Sequence, residues 1–90
     1  MSKLDQEYKE LQEYIVIIIS TAKLIGHNVL YAPIIIITEQ NSTKVLMSFS
    51  LDVLQQKVTL ITGYKGKKQI FKNHPHEEKM NHLKKLLQAL

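Results

Sequence analysis

A chain of 90 residues suffices for one small domain, and we expect residues 1–90 to form a single compact unit. With 44% hydrophobic and 22% charged residues the composition is that of a folded protein, and the lack of cysteine excludes disulfides and thiolate metal sites. All twelve basic residues are lysine, which gives a net charge of +4 without the planar guanidinium that reads base edges.

A long amphipathic helix is predicted from Leu4 to Ile25, with Ser2 as its cap. Its apolar face consists of residues three or four apart, namely Leu4, Tyr8, Leu11, Ile15, Ile18, Ile19, Ala22 and Ile25. The β-branched run from Tyr14 to Ile19 has strand propensity, so a strand remains the alternative there. On a helix, Val16 and Ile17 lie off the apolar stripe and need a second partner, such as another subunit.

Three or four antiparallel strands follow the helix. They are predicted at Val29–Thr38, Lys44–Leu51, Lys57–Tyr64 and, as a short fourth strand, Lys67–Lys72. Pro33 places the first strand at an edge or delays its entry into the sheet, while Ile34 to Ile37 predict that both faces of it are covered. In the second strand, alternation places Val45 and Met47 on one face and Leu46 and Ser48 on the other.

A second amphipathic helix begins near Pro75, the expected first helical residue, and carries an apolar stripe. The stripe is Met80, Leu83, Leu86, Leu87 and Leu90. The predicted fold is therefore α+β in αβββα order, a two-layer structure with both helices on one face of a three- or four-stranded antiparallel meander. The other face would expose Leu46 and Ile61, so we expect a homodimer formed through this face or through Val16 and Ile17.

A lysine-rich segment is the first candidate site. Residues 44–90 carry nine lysines against three acidic residues, a net charge of +6. The residues that could follow a phosphate backbone or stack on a base are Tyr64, Lys65, Lys67, Lys68, Phe71 and Lys72. They predict contact with nucleic acid or another polyanion without strict sequence choice. In the alternative interpretation, Ile70 and Phe71 belong to the core, and the lysines form a solvated turn that discourages pairing at the sheet edge.

Histidines form the second candidate site. His74, His76 and His82, together with Glu78, have side chains that could hold zinc or nickel if the helix brought them onto one face. We favour the alternative in which His74 caps the helix while His76 and His82 lie on its solvated side. No metal or other cofactor is expected.

Sequence signals for an enzyme are poor, because nucleophile and phosphate-loop motifs are lacking. Lys23, His27 and Asn28 interrupt the apolar region from Ile15 to Ile37, and the charged amino terminus does not resemble a secretory signal, so we expect no membrane span and a cytoplasmic location. Two hypotheses follow: a dimeric, non-enzymatic protein that binds nucleic acid, or a protein-binding regulator, adaptor or inhibitor that acts through an apolar sheet face or the acidic first helix.

Overall fold

The chain forms a helix, a five-stranded antiparallel sheet and a second helix. The computed structural model describes residues 2–31, 33–64 and 67–90. The elements are α1 (Lys3–Leu24), β1 (Asn28–Leu30), β2 (Ile35–Thr38), β3 (Val45–Asp52), β4 (Lys57–Tyr64), β5 (Lys67–Phe71) and α2 (His76–Ala89). Each strand pairs with the next in sequence, so the sheet is a meander with β1 and β5 at its edges. The predicted α+β order is confirmed, with five strands in place of three or four.

Helix α1 begins at a capping box. The Ser2 hydroxyl accepts a hydrogen bond from the Asp5 amide at 3.2 Å, and the Asp5 carboxylate accepts one from the Ser2 amide at 3.4 Å. Hydrogen bonding with the Ser2 side chain is the main reason why the pKa of Asp5 lies below its usual value. The helix continues through Tyr14–Ile19, which confirms helix over strand for this run. It ends before Gly26, whose φ of +97° is the left-handed conformation that favours glycine.

The predicted first strand, Val29–Thr38, is divided into two. β1 pairs with β2 as an antiparallel hairpin in which Leu30 faces Ile36. The division surrounds Pro33, which has no backbone N–H to donate to a ladder, and β2 begins only at Ile35. The chain therefore gains an edge strand that the sequence pattern did not separate.

A register shift alters which residues of β3 face the helices. Ile37 pairs with Met47, but Thr38 pairs with Val45, so Leu46 is the extra residue of a β-bulge. As a result Leu46 packs against the core, whereas Val45 is 49% exposed. The two residues lie on opposite faces, as predicted, but each lies on the face that was predicted for the other.

The core lies between the two helices and one face of the sheet. It consists of Tyr8, Leu11, Ile15, Ile18, Ala22, Ile37, Met47, Phe49, Val58, Leu60 and Leu83. Both helices therefore cover the same face, as predicted. No helix or strand in the described ranges packs on the other face, so the expectation that both sides of Ile34 to Ile37 are covered is wrong. None of the described helices has the length and apolar character that a membrane span requires.

Candidate functional site

The uncovered side of the sheet, which we call the open face, carries a continuous row of paired residues across all five strands. The row runs through the successive partners Leu30, Ile36, Ser48, Ile61 and Ile70. Ser48 is its single polar member, and its hydroxyl donates to the carbonyl oxygen of Ile61 at 3.4 Å. Since neighbouring strands lie about 4.8 Å apart, the row is about 19 Å long. It presents an apolar strip with its one hydroxyl already engaged.

Two depressions flank this row. One, of about 360 Å³, is lined by Val45, Gly63 and Lys68, and the other, of about 720 Å³, by Ser50, Thr59 and Lys72. Ile34 and Ile61 line both depressions. A Cβ atom built at Gly63 would meet no heavy atom within 4 Å, so the missing side chain leaves space on this face. The open face thus offers two shallow recesses beside Ile61, of which the smaller is mainly apolar and the larger is lined mostly by polar and charged residues.

Lysines dominate the charge around the depressions. Lys68 lines the smaller one, and Lys57 and Lys72 line the larger one, where Asp52 is the one acidic residue. Three ammonium groups against one carboxylate give the linings of the two depressions a net charge of +2. Lys68 and Lys72 were expected at a binding site, whereas Lys57 was not singled out by the sequence.

The described members of the predicted nucleic-acid segment do not lie on one surface. Lys67 and Lys68 are consecutive in β5, so their side chains point to opposite faces of the sheet. Phe71 packs against the core and stacks on His82, with ring centroids 4.1 Å apart and an interplanar angle of 21°. It is therefore not an exposed stacking platform, and the alternative interpretation is correct for Phe71 but wrong for Ile70, which is 50% exposed. Lys65 and the Tyr64 side chain lie outside the part that the structure describes.

The three histidines contact different neighbouring residues and do not form one cluster. His76 Nε2 lies 2.9 Å from Glu10 Oε2 of α1, His82 Nε2 lies 3.2 Å from the Thr62 hydroxyl, and His74 packs against Phe71. Glu78 is exposed. No group of three or more metal-ligating side chains occurs within the described ranges.

The favoured interpretation of surface histidines is also inaccurate. His76 and His82 are half-buried, and α2 begins after Pro75 without a side-chain cap, so His74 does not serve as one. Burial, with smaller contributions from Lys85 and His74, lowers the pKa of His82 below 6.5. These histidines join the helices to the sheet and to each other.

The four residues predicted at an interface lie in three places. Val16 and Ile17 are 55% and 48% exposed on α1, on the side of the molecule away from the sheet core. Ile61 lies on the open face, and Leu46 packs against the core. Of the four, Ile61 alone lies on the open face.

Lys79 is a buried residue that sequence reasoning missed. It is 6% exposed, and its Nζ donates hydrogen bonds to the carbonyl oxygens of Val58 at 2.5 Å and Lys72 at 2.9 Å. Burial lowers the pKa of Lys79 below 10.5, and the nearby charge of Lys57 lowers it further. A signal was present in the sequence, because Lys79 precedes Leu83 by four residues and so shares its helix face.

Comparisons of the chain with family models, with curated protein sequences and with solved structures gave no match. The surfaces described above are therefore what the function can be argued from.

Proposed function

We propose that this chain is a non-enzymatic protein-binding module that engages its partner through the open face of the sheet. The observation that carries the proposal is the row from Leu30 to Ile70, in which four of five paired residues are large and aliphatic. An antiparallel sheet that faces water on one side usually alternates apolar residues inside with polar residues outside. A row of aliphatic residues on the water side, interrupted here only by Ser48, is instead typical of an interaction surface.

Charge indicates which kind of partner fits. The apolar row is flanked by Lys57, Lys68 and Lys72, and Asp52 is the acidic residue among the side chains that line the two depressions. A segment with aliphatic or aromatic side chains for the depressions beside Ile61, and with Asp or Glu opposite the lysines, would complement this face. The proposed partner is therefore an acidic, amphipathic segment of another protein.

Nucleic acid is the weaker candidate for the same surface. Binding to single strands draws much of its energy from bases stacked on aromatic rings. The open face has aliphatic residues at its centre, and Phe71 is packed beneath the helices. The lysines remain able to contact phosphates, and such contact would show a steep dependence on salt and none on the isoleucines.

Self-association is the other way to cover the open face. The predicted homodimer would bury the same row against a second copy, or would use Val16 and Ile17 of α1, which are exposed on the opposite side. Light scattering at tens of micromolar protein distinguishes the cases. A dimer dissolved by Ile61→Glu would assign the open face to a second copy and would refute the proposal of a separate partner.

The proposal can be tested by selecting random displayed peptides on the purified protein and measuring their affinity by fluorescence anisotropy. We expect the selected peptides to combine aliphatic or aromatic residues with Asp or Glu. Ile61→Glu should weaken binding by tenfold or more, because a charge replaces an apolar contact, and each tenfold loss corresponds to about 1.4 kcal/mol. Gly63→Ala, whose Cβ atom would meet no heavy atom within 4 Å in the free protein, should weaken binding as well.

Ile17→Glu provides the matched control, because it places the same charge on an exposed helix position far from the open face. Peptides that bind Ile61→Glu as well as the parent protein would refute the proposal. So would a labelled oligonucleotide that binds in a manner dependent on Lys68 and independent of Ile61, because that result would favour the nucleic-acid hypothesis.

A further inference from the structure

Another cavity lies where the beginnings of the two helices meet the end of the sheet, next to the larger depression of the open face, with which it shares Lys57, Lys72 and Asn73. It has a volume of about 260 Å³ and is lined by residues from α1, from the start of β4 and from the segment that connects β5 to α2. Its polar lining includes Lys57, Lys72, Lys79, His74, His76 and Glu7. Such a volume is large enough for several water molecules and so for a small polyatomic ion.

Lys79 is the most unusual member of this lining. A lysine that is 94% removed from solvent normally has a carboxylate partner, since burial of an isolated charge is costly. Within the described residues its Nζ contacts two carbonyl oxygens and no carboxylate. An ammonium group has three N–H donors, so these two bonds leave one donor free. The cavity therefore has a cationic wall whose charge is not balanced by the neighbouring side chains.

The remaining side chains add to the positive charge. Lys57 and Lys72 line the same cavity, and the one carboxylate in the lining, Glu7, also lies 3.9 Å from Lys3. Three ammonium groups against one carboxylate give a net charge of +2 with both histidines neutral. Repulsion between Lys57 and Lys79 would be relieved by an anion placed among them.

We propose that this cavity binds a doubly negative oxyanion of the phosphate type. A tetrahedral dianion matches the net charge of +2 and offers several oxygen acceptors for separate lysine donors. The phosphate can be the free inorganic ion or a phosphoryl group carried by a small molecule. The site shares Lys57 and Lys72 with the protein-binding surface but not Ile61, so substitution of Ile61 tests the two proposals separately.

The test is a titration with sodium phosphate at pH 7.5, compared with sodium chloride of equal ionic strength, followed by amide chemical shifts and by thermal unfolding. We expect saturable shifts at Lys57, Asn73 and His76, together with a rise in the melting temperature that chloride does not produce. Lys57→Gln and Lys72→Gln should each weaken phosphate binding by about tenfold, because each removes a charged donor from the lining. These two positions are exposed, so both variants should fold.

Lys68→Gln is the matched control, since it removes one lysine from the same sheet but not from this cavity, and it should leave phosphate binding unchanged. Ile61→Glu should also retain it, which separates this proposal from the proposed function. Phosphoserine and a nucleoside monophosphate identify the source: tighter binding than that of inorganic phosphate indicates a carried phosphoryl group, and weaker binding indicates the free ion. No saturable effect beyond chloride, or equal losses in Lys57→Gln and Lys68→Gln, would overturn the proposal.

Discussion

The helical conformation of α1 predicts that substitutions of two adjacent isoleucines, Ile17 and Ile18, have very different effects on stability. Ile18 is 0% exposed in the core, whereas Ile17 is 48% exposed on the outside of the same helix. Ile18→Ala should lower the free energy of unfolding by about 2–5 kcal/mol, because it removes buried carbon atoms and leaves a cavity. Ile17→Ala should change it by less than about 1 kcal/mol, because half of the side chain is already in water and alanine favours a helix.

Urea unfolding followed by circular dichroism measures both variants. A domain of this size has a stability of about 5–13 kcal/mol, so Ile18→Ala could leave a marginal fold. Ile18→Val, with an expected loss of about 0.5–1.5 kcal/mol, provides a milder change at the same position. In a strand, Ile17 would share a face with Ile15, and Ile18 would lie on the other face. A loss for Ile17→Ala as large as that for Ile18→Ala, in a protein shown to be monomeric, would refute the helical assignment.

Two further predictions concern pH. Because burial lowers the pKa of His82 below 6.5, protonation favours the unfolded chain, and the free energy of unfolding should fall as the pH drops below 6.5. His82→Phe, which keeps an aromatic ring stacked on Phe71, should reduce this fall when both proteins are unfolded in urea at several pH values. The pKa of Lys79 is lowered from 10.5, so the wild type should gain stability relative to Lys79→Met as the pH rises toward 10.5 in phosphate-free buffer. A difference in unfolding free energy that stays constant with pH would contradict the lowered pKa of Lys79.

The helical part of the fold was predictable because its signals are local. Spacing of three and four residues identified α1, and Ser2 with Asp5 marked its start within two residues. The same spacing resolved the conflict with the β-branched run, where intrinsic propensity alone favours a strand. Burial of Ile15 and Ile18 on a shared helix face stabilises the run as a helix, so packing overrides propensity.

The sheet was less predictable from the sequence because the features that were predicted wrongly depend on how the strands pair. Nothing in the sequence of β3 itself marks Leu46 as a bulge. The register shift appears only in the pairing of β3 with β2, where the neighbours Ile37 and Thr38 pair with residues that are two positions apart. The hairpin of β1 and β2 was hidden in a similar way, since Val29 to Ile37 is apolar almost throughout and Pro33 is its main interruption. Local patterns show the faces of a strand, but the partner strand sets their register.

Whether the predictions of candidate site residues were correct depended on which side chains are buried. Charged and aromatic residues near one another in the sequence predicted a single lysine-rich surface, yet alternation in β5 separates Lys67 from Lys68 and directs Phe71 into the core. Lys79 was overlooked because a helical lysine is usually solvated. Its position four residues before Leu83 would have placed it on the buried stripe, and only the end of the sheet supplies the carbonyl oxygens that accept its hydrogen bonds.

The isoleucines of β2 connect the folding problem to the proposed function. Ile35 and Ile37 face the helices, while Ile34 and Ile36 face the open side, so a slip of one residue would exchange one isoleucine pair for the other. The pattern of β2 therefore cannot fix its own register, and the hairpin with β1 and the bulge at Leu46 must do so. Polar residues at positions 34 and 36 would have specified that register more strongly. Their aliphatic character on the open face is what the proposed protein-binding function would require.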